Sequence, residues 1–506
     1  MTDLEQSLAA AATAARPLAD LTGPDRAALL DAAADALDAA AADLIPIAAD
    51  ETRLPLPRLT AELARTTFQL RLYGDEVRTG RHLAARDDPA DPAWPTGPRP
   101  ALRRVNVPLG PVVVFAASNF PFAFSVAGTD TAAALAAGCP VLLKTNPGHP
   151  RLSQRTADVL TAALDAAGAP HGSFALLHSE ADGRAALLDP RVRAGAFTGS
   201  LRGGRALFDL AAGRPEPIPF YGELGSLNPT FVTRGAVARR GAAVWTGFAD
   251  SFTLGGGQFC TKPGLLLVPA EAAAAAAITA HLTGRAATDL LTDRIADGHR
   301  GVRHELATHP AVRVLVDGAS TGRAAAPTLL GTTLDAVLAD PGRLLVECFG
   351  PTALLVTYTD DTALPAFARR LEGQLTATVH GEPDEPVAAA LLRELTDRAG
   401  RIIWNGWPTG VSVTPAMHHG GPYPATTAPL HTSVGPAAIT RFLRPVTFQD
   451  VPAALLPSPL RRRADPSGVA YATDRTDPPP TGPAHTPHRD TSITSAHTPP
   501  AEETAR

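Results

Sequence analysis

The sequence predicts an α/β protein built on parallel sheets, and three observations carry that prediction. From Gly110 onward, short apolar runs such as Pro111-Val-Val-Val-Phe115 alternate with helix-length segments, the pattern of βαβ crossovers. The alternation resumes after Cys260, with apolar runs at residues 265–268, 312–316 and 353–358, which asks for a second α/β domain. Finally, 506 residues at 45% hydrophobic and 19% charged are enough for two or three domains with large buried cores.

Taken in order, residues 1–85 read as helical. Thr22-Gly-Pro-Asp25 can start a helix, and Leu29, Leu30, Ala33, Leu37 and Ala41 then recur at helical spacing. Residues 86–108 are rich in Pro, Asp and Arg and end in Leu-Arg-Arg-Val-Asn-Val, a loop followed by an exposed strand. The strand at 111–115 leads to a small-residue helix at 127–137 and a second strand at 140–144. A helix at 153–167, a strand at 173–177, a helix near Arg184 and a strand at 194–197 follow. Beyond Arg461-Arg-Arg the chain is Pro, Thr, Ser, Ala and His, so residues 462–506 are expected to be a disordered tail, its His485, His488 and His497 solvated filler.

Composition also excludes whole classes of function. A net charge of −5 gives no electrostatic case for nucleic acid. The three cysteines, Cys139, Cys260 and Cys348, are far apart and outside any CxxC spacing, which disfavours a disulfide scaffold or a structural zinc site. The N-terminus lacks the basic and apolar regions of a signal peptide. The apolar stretch at 265–282 is broken by Pro269 and Glu271, so no membrane partner is expected and a reducing cytoplasm is the expected location. Lys144 and Lys262 are the only lysines, which makes each worth scrutiny.

Several short segments carry chemistry. Phe115-Ala-Ala-Ser118-Asn119-Phe-Pro ends a strand in an Asn, which can aim its amide at a developing oxyanion or simply form the turn. Lys144 ends a buried strand, where α/β sheets bind ribose or phosphate. Phe197-Thr-Gly199-Ser200-Leu-Arg-Gly203-Gly runs a strand through glycines into a helix, a turn whose N–H groups and positive helix end suit a pyrophosphate. Glu223 lies between glycines, a setting in which an acid can swing between steps. Cys260 follows a triple glycine, which favours a nucleophile over the inert buried role expected of Cys139 and Cys348. Glu347 and Phe349 open a turn at Glu347-Cys-Phe-Gly-Pro351, where a carboxylate can accept from ribose hydroxyls.

In this order, over residues 100–435, these segments resemble the aldehyde dehydrogenase superfamily. The resemblance implies a Rossmann-type cofactor domain at 1–88 and 109–225, an α/β catalytic domain at 226–431, and a β-hairpin oligomerisation arm at 89–108 and 437–456. The arm would include Ile439-Thr-Arg-Phe-Leu-Arg-Pro-Val-Thr-Phe-Gln449 and would hold a homodimer or homotetramer together. It implies Cys260 as nucleophile, with Asn119 and the Cys260 N–H as oxyanion donors and Glu223 as deacylation base. Phe115, Ser118, Lys144, Gly199, Ser200, Gly203, Glu347 and Phe349 would contact the cofactor, and no metal is implied.

Finer features, among them Phe120-Pro-Phe-Ala-Phe-Ser-Val-Ala-Gly128 and His419-Gly-Gly-Pro-Tyr-Pro-Ala-Thr426, are similar to an NADP-preferring branch of the family. That branch includes α-ketoglutarate semialdehyde dehydrogenases and a bacterial fatty aldehyde dehydrogenase, and in it His419 is a further candidate base, ranked below Glu223. The expected reaction is oxidation of 2,5-dioxopentanoate to 2-oxoglutarate through a cysteine thiohemiacetal and thioester. The family places the carboxylate that selects NAD three residues after the strand-end lysine, where this chain has Pro147. NADP is therefore the expected cofactor, with NAD permitted, and Lys144, His149 and Arg184 are candidates for a 2′-phosphate. Phe120, Phe122, Phe124, Phe252 and Phe259 suggest an apolar tunnel, which keeps a broad aliphatic or fatty aldehyde substrate open as an alternative. A coenzyme A-acylating relative and a catalytically silent binding protein are the further alternatives, both opposed by retention of Cys260, Glu223 and Glu347.

Overall fold

The computed structural model describes residues 2–461, and the tail predicted at 462–506 lies outside them. The chain opens with the helices Asp3–Asp20, Gly23–Ala39, Ala41–Thr52 and Leu56–Thr79. The second starts where Thr22 predicts it, because Thr22 accepts from the Asp25 N–H and Pro24 occupies the first turn.

A five-stranded sheet follows, with β1 Val112–Phe115, β2 Val141–Lys144, β3 Phe174–Leu177, β4 Ala194–Thr198 and β5 Phe220–Glu223. All neighbours are parallel and the order is β3-β2-β1-β4-β5, so the direction of winding reverses at β1. The strands read as continuous apolar runs because both faces are covered. Val112 and Val114 pack into a core with the second and fourth helices, whereas Val113 and Phe115 pack into another with Leu8, Leu142, Leu187 and Phe220. Each fully buried Val or Leu of this kind contributes about 2 kcal/mol.

The second sheet contains β6 Pro229–Val232, β7 Leu265–Pro269, β8 Arg313–Val316, β9 Thr328–Thr333, β10 Thr352–Tyr358, β11 Gln374–His380 and β12 Ala399–Trp404. Its order is β8-β9-β10-β7-β6-β11-β12, parallel except for the edge pair β8 and β9. Here too the faces alternate: Leu265 and Leu267 join one core, Leu266 and Val268 the other.

Arg86–Asp88, Leu102–Pro108 and Leu443–Gln449 form a separate antiparallel sheet. Its boundaries differ from those expected in two places. Arg86–Asp88, expected as loop and placed with the cofactor domain, is a strand that pairs with Leu102–Pro108. Residues 437–442 fall within a 3₁₀ helix, Pro436–Phe442, because Ala438, Ile439 and Phe442 are fully buried in the core of the first domain; the strand begins at Leu443. No helix among the described residues is long and apolar enough to cross a membrane.

Candidate active site

Cys260 lies in the loop that joins the helix Arg234–Thr253 to β7. This loop is anchored on every side. Gln258 Oε1 accepts from the Leu291 N–H (2.8 Å). Asn228 Nδ2 donates to the carbonyls of Cys260 (2.8 Å) and Lys262 (2.9 Å). The buried Lys262 ammonium donates to the carbonyls of Cys348 (2.6 Å), Gly350 (3.2 Å) and Thr352 (2.8 Å). The sequence suggests no role for Lys262; in the fold it ties the Cys260 loop to the turn that bears Glu347 and Phe349. Burial pulls its ammonium down, opposed by Cys348 and Glu347.

The half-buried Cys260 Sγ lies 3.4 Å from His419 Nε2, which lies 2.9 Å from Glu223 Oε1. Sulfur, ring nitrogen and carboxylate all fall within 4.8 Å of one another. Glu223 is the last residue of β5, so the strand sets its position, and Ser433 Oγ donates to its Oε2 (2.7 Å). Sequence reasoning gave this acid freedom to swing between its glycines. Instead it is buried on the strand and held by Ser433 and His419, a restraint invisible in the sequence because both partners lie about 200 residues away. Burial alone would push the Glu223 carboxyl up, but the charge of His419 and hydrogen bonds from His419, Ser433 and Cys260 hold it below its ordinary value. The Cys260 thiol is pushed well up, first by burial and then by the Glu223 charge. A thiol so placed needs a base within reach, and His419 Nε2 and the Glu223 carboxylate both lie close enough to take its proton.

Asn119 stands in the turn after β1 and its Nδ2 donates to the Gln258 carbonyl (3.1 Å), two residues before Cys260. Phe115, Lys144 and Phe197 are registered neighbours at the carboxyl edge of the first sheet, and Thr198 pairs with Glu223. Phe115 and Phe197 meet edge to face (6.5 Å), and Ser118 lies half-buried just beyond. Ser200 caps the helix Leu201–Ala212 by accepting from the Gly203 N–H (3.3 Å). The Gly199 N–H is committed to the Glu223 carbonyl (3.0 Å), so the exposed first turn from Ser200 to Arg202 is the part that can face an anion.

Glu347 packs against Gly225, where a Cβ would come 2.4 Å from its Oε2, which explains why glycine follows Glu223-Leu. Burial pushes the Glu347 carboxyl up to about 7, against the pull of Lys262 and the Ser226 N–H. Phe349 is half-buried in the same turn.

Two expectations are corrected. His149 is fully buried, its ring nitrogens bonded to Ser153 Oγ (3.1 Å) and the Ala117 carbonyl (3.0 Å), and is unavailable to a phosphate. Arg184 is exposed. Of the phenylalanines expected to line one tunnel, Phe120, Phe124 and Phe259 do cluster (5.4 Å between neighbouring centroids), with Phe124 edge-on to His419 (6.3 Å). Phe122 and Phe252 instead turn into the cores on either side.

Cys260, His419 and Glu223 thus meet beside a parallel sheet whose winding reverses at β1. The profile described as the aldehyde dehydrogenase family covers residues 1–427. The chain belongs to the aldehyde dehydrogenase family, whose members oxidise an aldehyde with a nicotinamide cofactor.

Among individual relatives, it is 48% identical over 448 residues to α-ketoglutaric semialdehyde dehydrogenase 2 of Azospirillum brasilense, covering 86% of this chain and 84% of that one. It is 40% identical over 465 residues to the α-ketoglutaric semialdehyde dehydrogenase of Acinetobacter baylyi, covering 91% and 88%. The fold is shared with an NAD-dependent aldehyde dehydrogenase from Sinorhizobium meliloti, at a TM-score of 0.74 and 23% identity, over 89% of this chain and 88% of that one.

Proposed function

We propose that the protein oxidises 2,5-dioxopentanoate to 2-oxoglutarate, with Cys260 as nucleophile. The observation that carries the chemistry is the contact of Cys260 Sγ with His419 Nε2, itself in contact with Glu223. His419 takes the thiol proton and releases it to solvent before deacylation, and the sulfur adds to the aldehyde carbon. Asn119 Nδ2 and the Cys260 N–H hold the oxyanion of the thiohemiacetal, a donor of this kind being worth about 3 kcal/mol of barrier. Glu223, with His419, then takes a proton from the water that releases the acid from the Cys260 thioester, a base worth roughly 10²- to 10⁴-fold. The substrate assignment is supported by the identity to the two semialdehyde dehydrogenases over most of their length.

The nicotinamide dinucleotide, when bound, supplies the hydride acceptor. The exposed helix start at Ser200 suits its pyrophosphate, and Phe115, Ser118, Gly199, Gly203, Glu347 and Phe349 are the further residues proposed to contact it. NADP preference is supported at Lys144. Its ammonium is lowered by burial, raised by Glu180 and lowered again by Arg294, so two cations and one acid attend the end of β2. The Thr292 methyl would lie 2.9 Å from a Cβ on Gly148, which brings the start of the helix Asp293–Ala307 against this loop.

Assembly into a homodimer or homotetramer is proposed through the sheet formed by Arg86–Asp88, Leu102–Pro108 and Leu443–Gln449, and a reducing compartment such as the cytoplasm would keep the Cys260 thiol active. The aromatic cluster of Phe120, Phe124 and Phe259 favours a second reading, a broad aliphatic aldehyde substrate. Steady-state kinetics with 2,5-dioxopentanoate, succinate semialdehyde and a long-chain aldehyde, each with NADP and NAD, separate the readings. A higher kcat/KM for the long-chain aldehyde would overturn the first, and a much higher kcat/KM with NAD would overturn the cofactor preference. A Cys260→Ser protein that still reduces NADP would sink the mechanism.

A further inference from the structure

The helix Leu56–Thr79 presents to the active site a face that the proposed mechanism leaves unused. Arg58, Glu62 and Arg65 stand at i, i+4 and i+7 and so share that face. Arg58 Nη2 donates to the Asn119 carbonyl (3.0 Å). Its guanidinium lies over the rings of Phe120 (4.7 Å to the centroid) and Phe259 (4.5 Å), the neighbours in sequence of the oxyanion donor and the nucleophile. A Cβ on Gly255, whose φ is +58°, would come 3.0 Å from Arg58 Nη1, so a glycine there makes room for the guanidinium. Arg65 lies over Phe124 (5.5 Å), the ring that meets His419. Both arginines interact electrostatically with Cys260.

Between them, Glu62 accepts from the N–H groups of Phe122 (2.9 Å) and Ala123 (3.1 Å) and lies 3.6 Å from Arg58 Nη2. Its burial pushes its carboxyl up, against Arg58 and those N–H groups, so it is a poor counter-ion for two guanidiniums. Arg58 and Arg65 each keep a buried Nη1 with no hydrogen-bond acceptor in the protein. An unmet guanidinium donor costs folding free energy, and two of them beside one nucleophile call for a ligand that meets both.

We propose that Arg58 and Arg65 bind the carboxylate of the semialdehyde substrate, while the rings of Phe120, Phe124 and Phe259 pack its carbon chain and lead its aldehyde carbon to Cys260. This rests on the reading of the substrate as a carboxylated aldehyde. The guanidinium fork matches carboxylate geometry, and an aldehyde without a carboxylate gains nothing from it.

The test is the ratio of kcat/KM for 2,5-dioxopentanoate to kcat/KM for pentanal, which has the same carbon count and no carboxylate. Arg58→Gln and Arg65→Gln are each expected to lower that ratio at least 10-fold, chiefly through the KM of the charged substrate, with Arg58→Lys in between. An unchanged ratio, including equal loss on both substrates, would overturn the assignment as a merely structural effect. The wild-type ratio decides the substrate reading separately, since a wild-type enzyme that prefers pentanal refutes that reading before any variant is made. Should the variants fail to fold, glutarate is expected to protect wild-type Cys260 from iodoacetamide while glutaramide does not; equal protection by both, or none, would overturn the proposal.

Discussion

Replacing Glu223 with Gln should make Cys260 more reactive toward an alkylating agent even as it cripples turnover. In the resting site the carboxylate lies within 4.8 Å of the sulfur, and its charge opposes formation of the thiolate. At an effective dielectric of about 20, two unit charges at that distance repel by about 3 kcal/mol, equivalent to roughly 100-fold in thiolate at fixed pH. Gln keeps the shape of the side chain and an oxygen for Ser433, so the strand end should hold. The assay is the second-order rate of iodoacetamide inactivation at pH 7, followed across pH 6 to 10, beside single-turnover hydrolysis of the acyl enzyme. The expected outcome is alkylation faster by roughly one to two orders of magnitude, with deacylation slower by roughly 10²-fold or more. Slower alkylation in the variant would refute the reasoning. It would mean that the resting site is already a thiolate–imidazolium pair that Glu223 sustains.

Other perturbations test the surrounding structure. Asn119→Ala should lower kcat by about 10²- to 10³-fold, read in steady-state turnover, and an unaffected kcat would remove Asn119 from the oxyanion site. Lys262→Met leaves the carbonyls of Cys348, Gly350 and Thr352 without their donor and should cost about 3 kcal/mol or more, measured by urea unfolding; an unchanged midpoint would refute the tie. Glu347, with its carboxyl raised from 4.5 to about 7, holds a proton in the folded state that the unfolded chain gives up. Its contribution is therefore full below about pH 4.5 and is lost as pH rises through 7, up to about 3 kcal/mol. Glu347→Gln should flatten the urea midpoint between pH 5 and 8, and parallel profiles for variant and wild type would contradict the assignment.

What was legible in the sequence is what sits at strand ends. Lys144, Glu223 and the glycines after Phe197 lie at the carboxyl edge of short apolar runs, and a parallel sheet forces such positions onto one side, so local pattern sufficed. Cys260 stood out because a triple glycine precedes it. Partners chosen only by folding were invisible. The His-Gly-Gly-Pro segment marks His419 as a candidate base, but its contact with Glu223, like that of Ser433, spans about 200 residues and has no local sign. Lys262 drew notice through rarity, yet its acceptors lie on a distant turn. Arg58 and Arg65 were lost among many arginines; their only local sign is the i, i+7 spacing, which an ordinary amphipathic helix also shows. The tunnel was misjudged because alternate phenylalanines of one segment face opposite ways: Phe120 and Phe124 toward the site, Phe122 into the core.

Glu223 and Cys260 belong to different bodies of the fold. Glu223 rides on the last strand of one sheet, and Cys260 on the loop feeding another with its own pair of cores. The 3.4 Å and 2.9 Å separations therefore act as a vernier on how the two halves are seated. A relative slip of one ångström would leave every core intact and each half fully folded, yet part the sulfur from its base. Mutations far from the site that loosen this seating should thus silence the enzyme well before they lower its melting temperature, and turnover becomes the more sensitive gauge of how the halves are joined.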